Sequence, residues 1–149
     1  MKAVVQRVTD ASVSVDGVVK GKIDSGLLVY LGVAYDDSES DADWLAEKIA
    51  YLRIFNDSDG KMNLSLKDIP GTSVLAISQF TLLGDAKKGR RPSWNDAAPP
   101  ETANKLYKYF IKELEKQNLH CESGEFQAHM KVTYTNDGPV TIILDTKTN

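Results

Sequence analysis

The seven residues Leu27 to Val33, Leu-Leu-Val-Tyr-Leu-Gly-Val, are apolar on both alternating faces and rich in Leu and Val. A strand of this kind is stable only where both faces are covered, so it demands a central place in a sheet with a layer on each side. The rest of the chain must supply the neighbours and the covers. Upstream, Ala11, Val13 and Val15 alternate with Ser12, Ser14 and Asp16, the pattern of a half-buried strand. Asp16-Gly17 then provides a two-residue hairpin turn, and Val18–Asp24 returns as its partner.

The covers come from two amphipathic segments. Ser40 to about Phe55 reads as a helix, with Ser40 and Asp43 as a capping box and Leu45, Ile49 and Leu52 on one face. Pro99-Pro100-Glu101 open a second helix that runs to about Asn118. Its apolar stripe is Ala103, Leu106, Tyr107, Phe110, Ile111 and Leu114, and Lys105, Lys108, Lys112 and Lys116 fall opposite it. Between the helices, Asn56–Asn63 is a turn-rich loop and Ser73–Asp85 a strand, followed by a loop with two basic pairs, Lys87-Lys88 and Arg90-Arg91. Two more strands, about Ala128–Thr135 and Val140–Asp145, meet at Asn136-Asp137-Gly138-Pro139, which reads as a tight turn. This order is α+β: a mostly antiparallel, barrel-like sheet with two main helices in one domain spanning 1–149.

Bulk properties narrow the function. A chain of 149 residues has room for one well-covered core. No apolar run reaches the length of a membrane span, and the first ten residues lack a signal-peptide core, so no membrane association is expected. The single cysteine, Cys121, forbids an intrachain disulfide and fits a cytoplasmic protein. Net charge is −3 and the pI about 5.4. Nucleic-acid binding driven by overall charge is disfavoured, and any RNA contact must come from a local basic patch.

The search for conventional chemistry comes back empty. His120 and Cys121 are neighbours, so on a strand they point to opposite faces and cannot form a dyad; His129 would have to approach from elsewhere. One Cys and two His without HExxH or CxxC spacing do not suggest zinc, and no metal or cofactor is expected. No GxSxG elbow and no glycine-rich phosphate loop is present. Asp36, Asp37, Asp57 and Asp59 sit in turn-like sequence, where solvated loop carboxylates are the simpler reading. Two oddities are left over: the strand end Ser78-Gln79-Phe80-Thr81-Leu82, and Gly138-Pro139, where proline begins a strand without an N–H for the ladder.

Together those stretches resemble the D-aminoacyl-tRNA deacylase family. The likeness extends over nearly the whole chain: MKAVVQRVTDASVSVDG, LRIFNDSDGKMNLS, SQFTL, KGRRPSW and NDGPVT appear in the family's order. Two positions depart from its pattern. Trp94 stands where Phe is usual, and Gln127 stands where Gly is usual.

The resemblance implies a homodimeric, metal-free hydrolase that cleaves the ester between a D-amino acid and the terminal adenosine of tRNA. It implies a cis Gly138-Pro139 peptide projecting into the other subunit's active site, with Arg7 holding that loop. Main-chain N–H groups of Phe80 and Thr81 would face the oxyanion. Ser78 and Gln79 would shape the adenosine pocket, with Met130 as a wall. An L-side chain would collide with the Gly-Pro backbone, a D-side chain would point away, and glycine, including glycine mischarged on alanine tRNA, would be admitted. The substrate's 2′-hydroxyl would orient or activate the water. Lys87, Lys88, Arg90 and Arg91 are expected to meet tRNA phosphates. The rival reading is a non-enzymatic nucleic-acid-binding module built on the Lys87–Trp94 loop, with Trp94 stacking on a base. A third, a small hydrolase using Cys121 or Thr81 as nucleophile, rests on one residue each.

Overall fold

The alternating segment folds as its pattern requires. β1, Lys2–Val15, turns at Asp16-Gly17 and returns as β2, Val18–Gly32, in an antiparallel pair. Asp16 (φ 50°) and Gly17 (φ 78°) both take the left-handed conformation that such a two-residue turn demands. β2 is 15 residues long, so the return strand and most of the apolar run form one element. The computed structural model describes residues 1–148.

α1, Glu39–Ala50, is capped by Ser38, whose N–H and Oγ–H both donate to Asp41 Oδ2 at 2.9 Å. The box lies two residues before the expected Ser40 and Asp43, because Ser38 has the extended backbone (φ −134°, ψ 176°) that a cap requires. The helix also ends short of Phe55. That residue enters β3, Phe55–Asn56, which pairs with β4, Met62–Leu64, so the turn-rich loop is the tip of a small hairpin. Asp57 Oδ1 ties the tip by accepting from the N–H groups of Asp59 (2.9 Å) and Lys61 (3.0 Å).

β5, Ser73–Ser78, is shorter than the strand expected to Asp85, because the chain leaves the sheet after Gln79. α2, Pro100–Lys116, has proline at its first position and buries Ala103, Leu106, Tyr107, Phe110 and Leu114. Its four lysines are exposed. β6, His120–Ser123, was not anticipated as a strand, and β7, Lys131–Asp145, closes the chain.

The α+β class with two main helices holds, but the sheet is mixed rather than mostly antiparallel. Its order is β6-β5-β2-β1-β7, which leaves β6 and β7 as edges instead of closing a barrel. β7 lies antiparallel to β1, while β5 lies parallel to β2 and β6 parallel to β5. Parallel neighbours need a crossover, and α1 and α2 supply one each.

The two faces of this sheet have separate cores. Ala3, Val5, Leu27, Val29, Leu31, Val74 and Ala76 meet the helices. Val8, Ala11, Val13, Leu28, Leu75 and Ile77 form a smaller cluster, over which Met130, Val132 and Tyr134 pack. Val8 and Ala11 share a face although their separation is odd, because a bulge at Asp10 (φ 51°) shifts the register between Thr9 and Ser12.

Candidate active site

β5 makes its final sheet bond through Gln79 N–H, which donates to Leu31 O at 2.8 Å. Phe80–Leu83 then form a 3₁₀ turn. In it Leu82 N–H donates to Gln79 O at 3.3 Å, and Gly84 N–H to Thr81 O at 3.0 Å. Such a turn bonds each residue to the one three before it, so the N–H groups of Phe80 and Thr81 have no acceptor within it. Gln79 Nε2 donates to Thr81 Oγ1 at 2.5 Å, bracing the turn from outside.

Beside this turn lies a cavity of about 720 Å³. One wall is Ile77, Ser78, Gln79 and Phe80; another is Pro99, Pro100 and Ala103 at the start of α2; a third is Phe126–Met130 with Val132. Ile77, Met130 and Val132 belong also to the smaller core cluster, so the cavity opens where that cluster ends. Tyr107 Oη donates to Ala76 O at 2.8 Å and fastens α2 to β5 near the cavity. Phe80 and Trp94 line the cavity, with ring centroids 5.7 Å apart and planes at 63°, an edge-to-face pair.

Ser78, Gln79, Phe80 and Met130 therefore converge, and Thr81 joins them through Gln79. Sequence reasoning did not single out Phe126, Ala128 or the Pro99-Pro100 corner as walls, since no local pattern marks a residue that becomes a wall by tertiary approach. Gln127 lines the cavity with φ 63°, a left-handed backbone that glycine adopts without strain.

Gly138, Pro139 and Arg7 are not part of that cavity. The Asn136–Pro139 segment is no hairpin turn. Both halves of β7 pair with β1: Asn136 opposite Val8 and Thr141 opposite Gln6. Two steps along β1 thus face five along β7, and the chain between is extruded without reversing direction. The Gly138–Pro139 peptide at its tip is cis, and Gly138 has φ 121°. A Cβ on Gly138 would stand 2.8 Å from Val140 Cγ2 and 3.1 Å from Arg7 Nη2, so only glycine fits.

Arg7 is buried beneath the extrusion rather than exposed as a surface charge. Its Nη1 donates to Ile54 O at 2.7 Å and Asn56 Oδ1 at 3.3 Å. Its Nε lies 3.0 Å from Asp137 Oδ2, an ion pair outside hydrogen-bond alignment. Asn136, which the sequence marked only as a turn former, spans the neck. Its Nδ2 donates to Arg7 O and Val140 O, both at 3.0 Å.

The basic loop is closed by a two-bond bridge. Asp85 N–H donates to Ser93 O at 2.8 Å and Ser93 N–H to Asp85 O at 2.9 Å. Lys87, Lys88, Arg90 and Arg91 are all exposed on it, next in sequence to Trp94 at the cavity. The alternative nucleophile fares poorly. Burial, with Glu115 and Glu122 nearby, pushes the Cys121 thiol up to about 12. His120 pairs with Glu122 Oε1 at 2.8 Å, and both lie one strand position from Cys121, on the opposite face. His129 lines the cavity instead. Among the described residues, no group of three His, Cys, Asp or Glu side chains could hold a metal ion.

The D-Tyr-tRNA(Tyr) deacylase family pattern matches residues 4–145. The chain belongs to this family. It is accordingly an enzyme, a hydrolase of the deacylase class. A protein of Thermosipho melanesiensis named D-aminoacyl-tRNA deacylase is 58% identical over 148 residues, covering 99% of this chain and 98% of its own. One of Koribacter versatilis with the same name is 58% identical over 147 residues, covering 99% and 98%. The solved structure of c-Myc DNA Unwinding Element Binding Protein superposes with a TM-score of 0.90 at 41% identity, covering 97% of this chain and 98% of that one. A probable eukaryotic D-amino acid tRNA deacylase shares the fold, with a TM-score of 0.83 at 16% identity, covering 96% and 97%.

Proposed function

We propose that this deacylase hydrolyses the ester joining a D-amino acid to the terminal adenosine of tRNA and spares the L-form. One observation carries the reading: Phe80 lines the Ser78-Gln79-Phe80 cavity and opens a 3₁₀ turn with Thr81, in which the N–H groups of both residues are unused. Two fixed main-chain donors are suited to the oxyanion that develops as water attacks an ester carbon; removing one such donor typically costs about a hundred- to a thousandfold. In this reading Ser78, Gln79 and Met130 hold the adenosine, and the substrate's 2′-hydroxyl orients the water. No step calls for a metal or cofactor.

The chiral selector is the Gly138–Pro139 backbone of a second copy. The segment is extruded from β7 and lies outside its own chain's cavity, so it acts across a homodimer. An L-side chain then meets main chain, a D-side chain points outward, and glycine passes, including glycine carried on alanine tRNA. Arg7 supports the selector from below. Lys87, Lys88, Arg90 and Arg91 take tRNA phosphates, so the protein works in the cytoplasm, where charged tRNA is found.

The test is single-turnover deacylation on matched D- and L-tyrosyl-tRNA. Rapid release from the D-form with the L-form nearly untouched is expected, and comparable rates on both would refute the reading. The second reading, a nucleic-acid-binding module, draws on the exposed basic loop and on the name of the 41%-identical structure. Binding of tRNA without release of free amino acid would favour it.

A further inference from the structure

Asn136 is placed differently from the other residues of the extruded segment. An asparagine amide has two donors and two acceptor positions. Here all are engaged: Nδ2 donates to Arg7 O and Val140 O at 3.0 Å each, and Oδ1 accepts from Gln6 Nε2 and Thr141 Oγ1 at 3.3 Å each. Arg7 O belongs to β1 and Val140 O to the far margin of the loop. One side chain thus joins both margins of Asp137-Gly138-Pro139 to the strand beneath. Reversing the amide would set its oxygen against two carbonyls, so the network admits one orientation.

We propose that Asn136 is the positioning residue that makes this protein stereoselective. The inference rests on the reading of Gly138–Pro139 as the chiral selector. Exclusion by collision works only while the obstacle stays in place. Arg7 holds the loop through Asp137, and that ion pair is off hydrogen-bond alignment and half open to solvent, with the Asp137 side chain 52% exposed. The Asn136 amide instead fixes the backbone carbonyls on either side of the loop, and so sets where the tip points. A loop released at its neck can retreat from an L-side chain, and a displacement of about 1 Å in a site of this kind changes rates by about a hundredfold.

The experiment measures single-turnover rates on D- and L-tyrosyl-tRNA for Asn136→Asp, Thr141→Val and Thr141→Ser, with thermal unfolding of each variant. Asn136→Asp keeps the shape but turns two donors into acceptors facing carbonyls. The L-to-D rate ratio is expected to rise roughly ten- to a hundredfold. Thr141 is exposed, and removing its hydroxyl should shift the ratio in the same direction by less, while Thr141→Ser should restore it. Folded Asn136→Asp and Thr141→Val proteins with the wild-type ratio, or with both rates lowered equally, would overturn the proposal. Should Asn136→Asp not fold, the Val and Ser pair at Thr141 decides. A wild-type protein that itself fails to prefer the D-form would instead remove the selector reading, a separate outcome.

Discussion

Replacing Thr81 by alanine asks whether the backbone or a side chain does the chemistry. The Thr81 hydroxyl has one hydrogen bond in the structure, from Gln79 Nε2 at 2.5 Å, at an exposed position. A hydrogen bond of this kind contributes about 0.5–1.5 kcal/mol net. At about 1.36 kcal/mol per decade of rate, its loss slows deacylation roughly two- to thirteenfold if the whole amount appears in the transition state. The Thr81 N–H survives the substitution, so the oxyanion donor stays. A nucleophilic hydroxyl would behave otherwise, since its removal from a hydrolase costs about a millionfold. The two mechanisms are separated by about five decades. The assay is single-turnover release from D-tyrosyl-tRNA at saturating enzyme, with tRNA binding and thermal unfolding measured on the same preparation. A loss beyond about ten thousandfold, with fold and binding intact, would refute main-chain catalysis. A substrate lacking the terminal 2′-hydroxyl should react at least about a hundredfold more slowly, more than the variant does.

Neutralising Lys87, Lys88, Arg90 and Arg91 in turn should weaken tRNA binding and flatten the dependence of log K on log salt by about 0.7–0.9 per lost phosphate contact; unchanged slopes would remove the loop from the RNA surface. The Cys121 thiol is raised from 9.0 to about 12, and a group whose folded pKa is raised stabilises fully below its unfolded value and loses that contribution as pH climbs through the folded one. Iodoacetamide should therefore label folded protein at pH 8 far more slowly than the unfolded chain, and stability should fall between about pH 9 and 12 less steeply in Cys121→Ser. Gln127→Gly relieves a left-handed backbone (φ 63°). It should raise the unfolding temperature by the equivalent of about 1 kcal/mol or less, the strain relieved exceeding the added chain entropy. A clear fall would show that the Gln127 side chain itself holds the cavity wall.

The site was legible in its motifs and not in its assembly. SQFTL was marked as a strand end and by its resemblance to a family motif, and NDGPVT as a turn chemistry that fits poorly with a strand. The position of the 3₁₀ turn, the cavity wall at Phe126–Met130 and the Phe80–Trp94 pair could not be read, because each depends on contacts between residues far apart in sequence. Asn136 shows the limit clearly. As a turn former it was noticed for its tolerance of unusual φ, whereas its structural place comes from carbonyls at positions 7 and 140.

Periodicity alone determined that the chain would carry a buried central strand, a hairpin at Asp16-Gly17 and two one-faced helices. These follow from which residues tolerate water and which backbone angles glycine and aspartate adopt, and both are local properties. Tertiary structure alone decided how the pieces pair. The parallel placement of β5 beside β2 follows from the α1 crossover, and the cap of α1 falls at Ser38 because that residue takes the extended backbone. The two tail segments became one strand because β1 offers both of them ladder partners, at Lys2–Gln6 and at Val8–Ser14. With five steps along β7 set against two along β1, the surplus had to leave the sheet, and Gly138-Pro139 lies at the tip of what left. A turn and an extruded loop share the same residues; only the strand they lie against tells them apart.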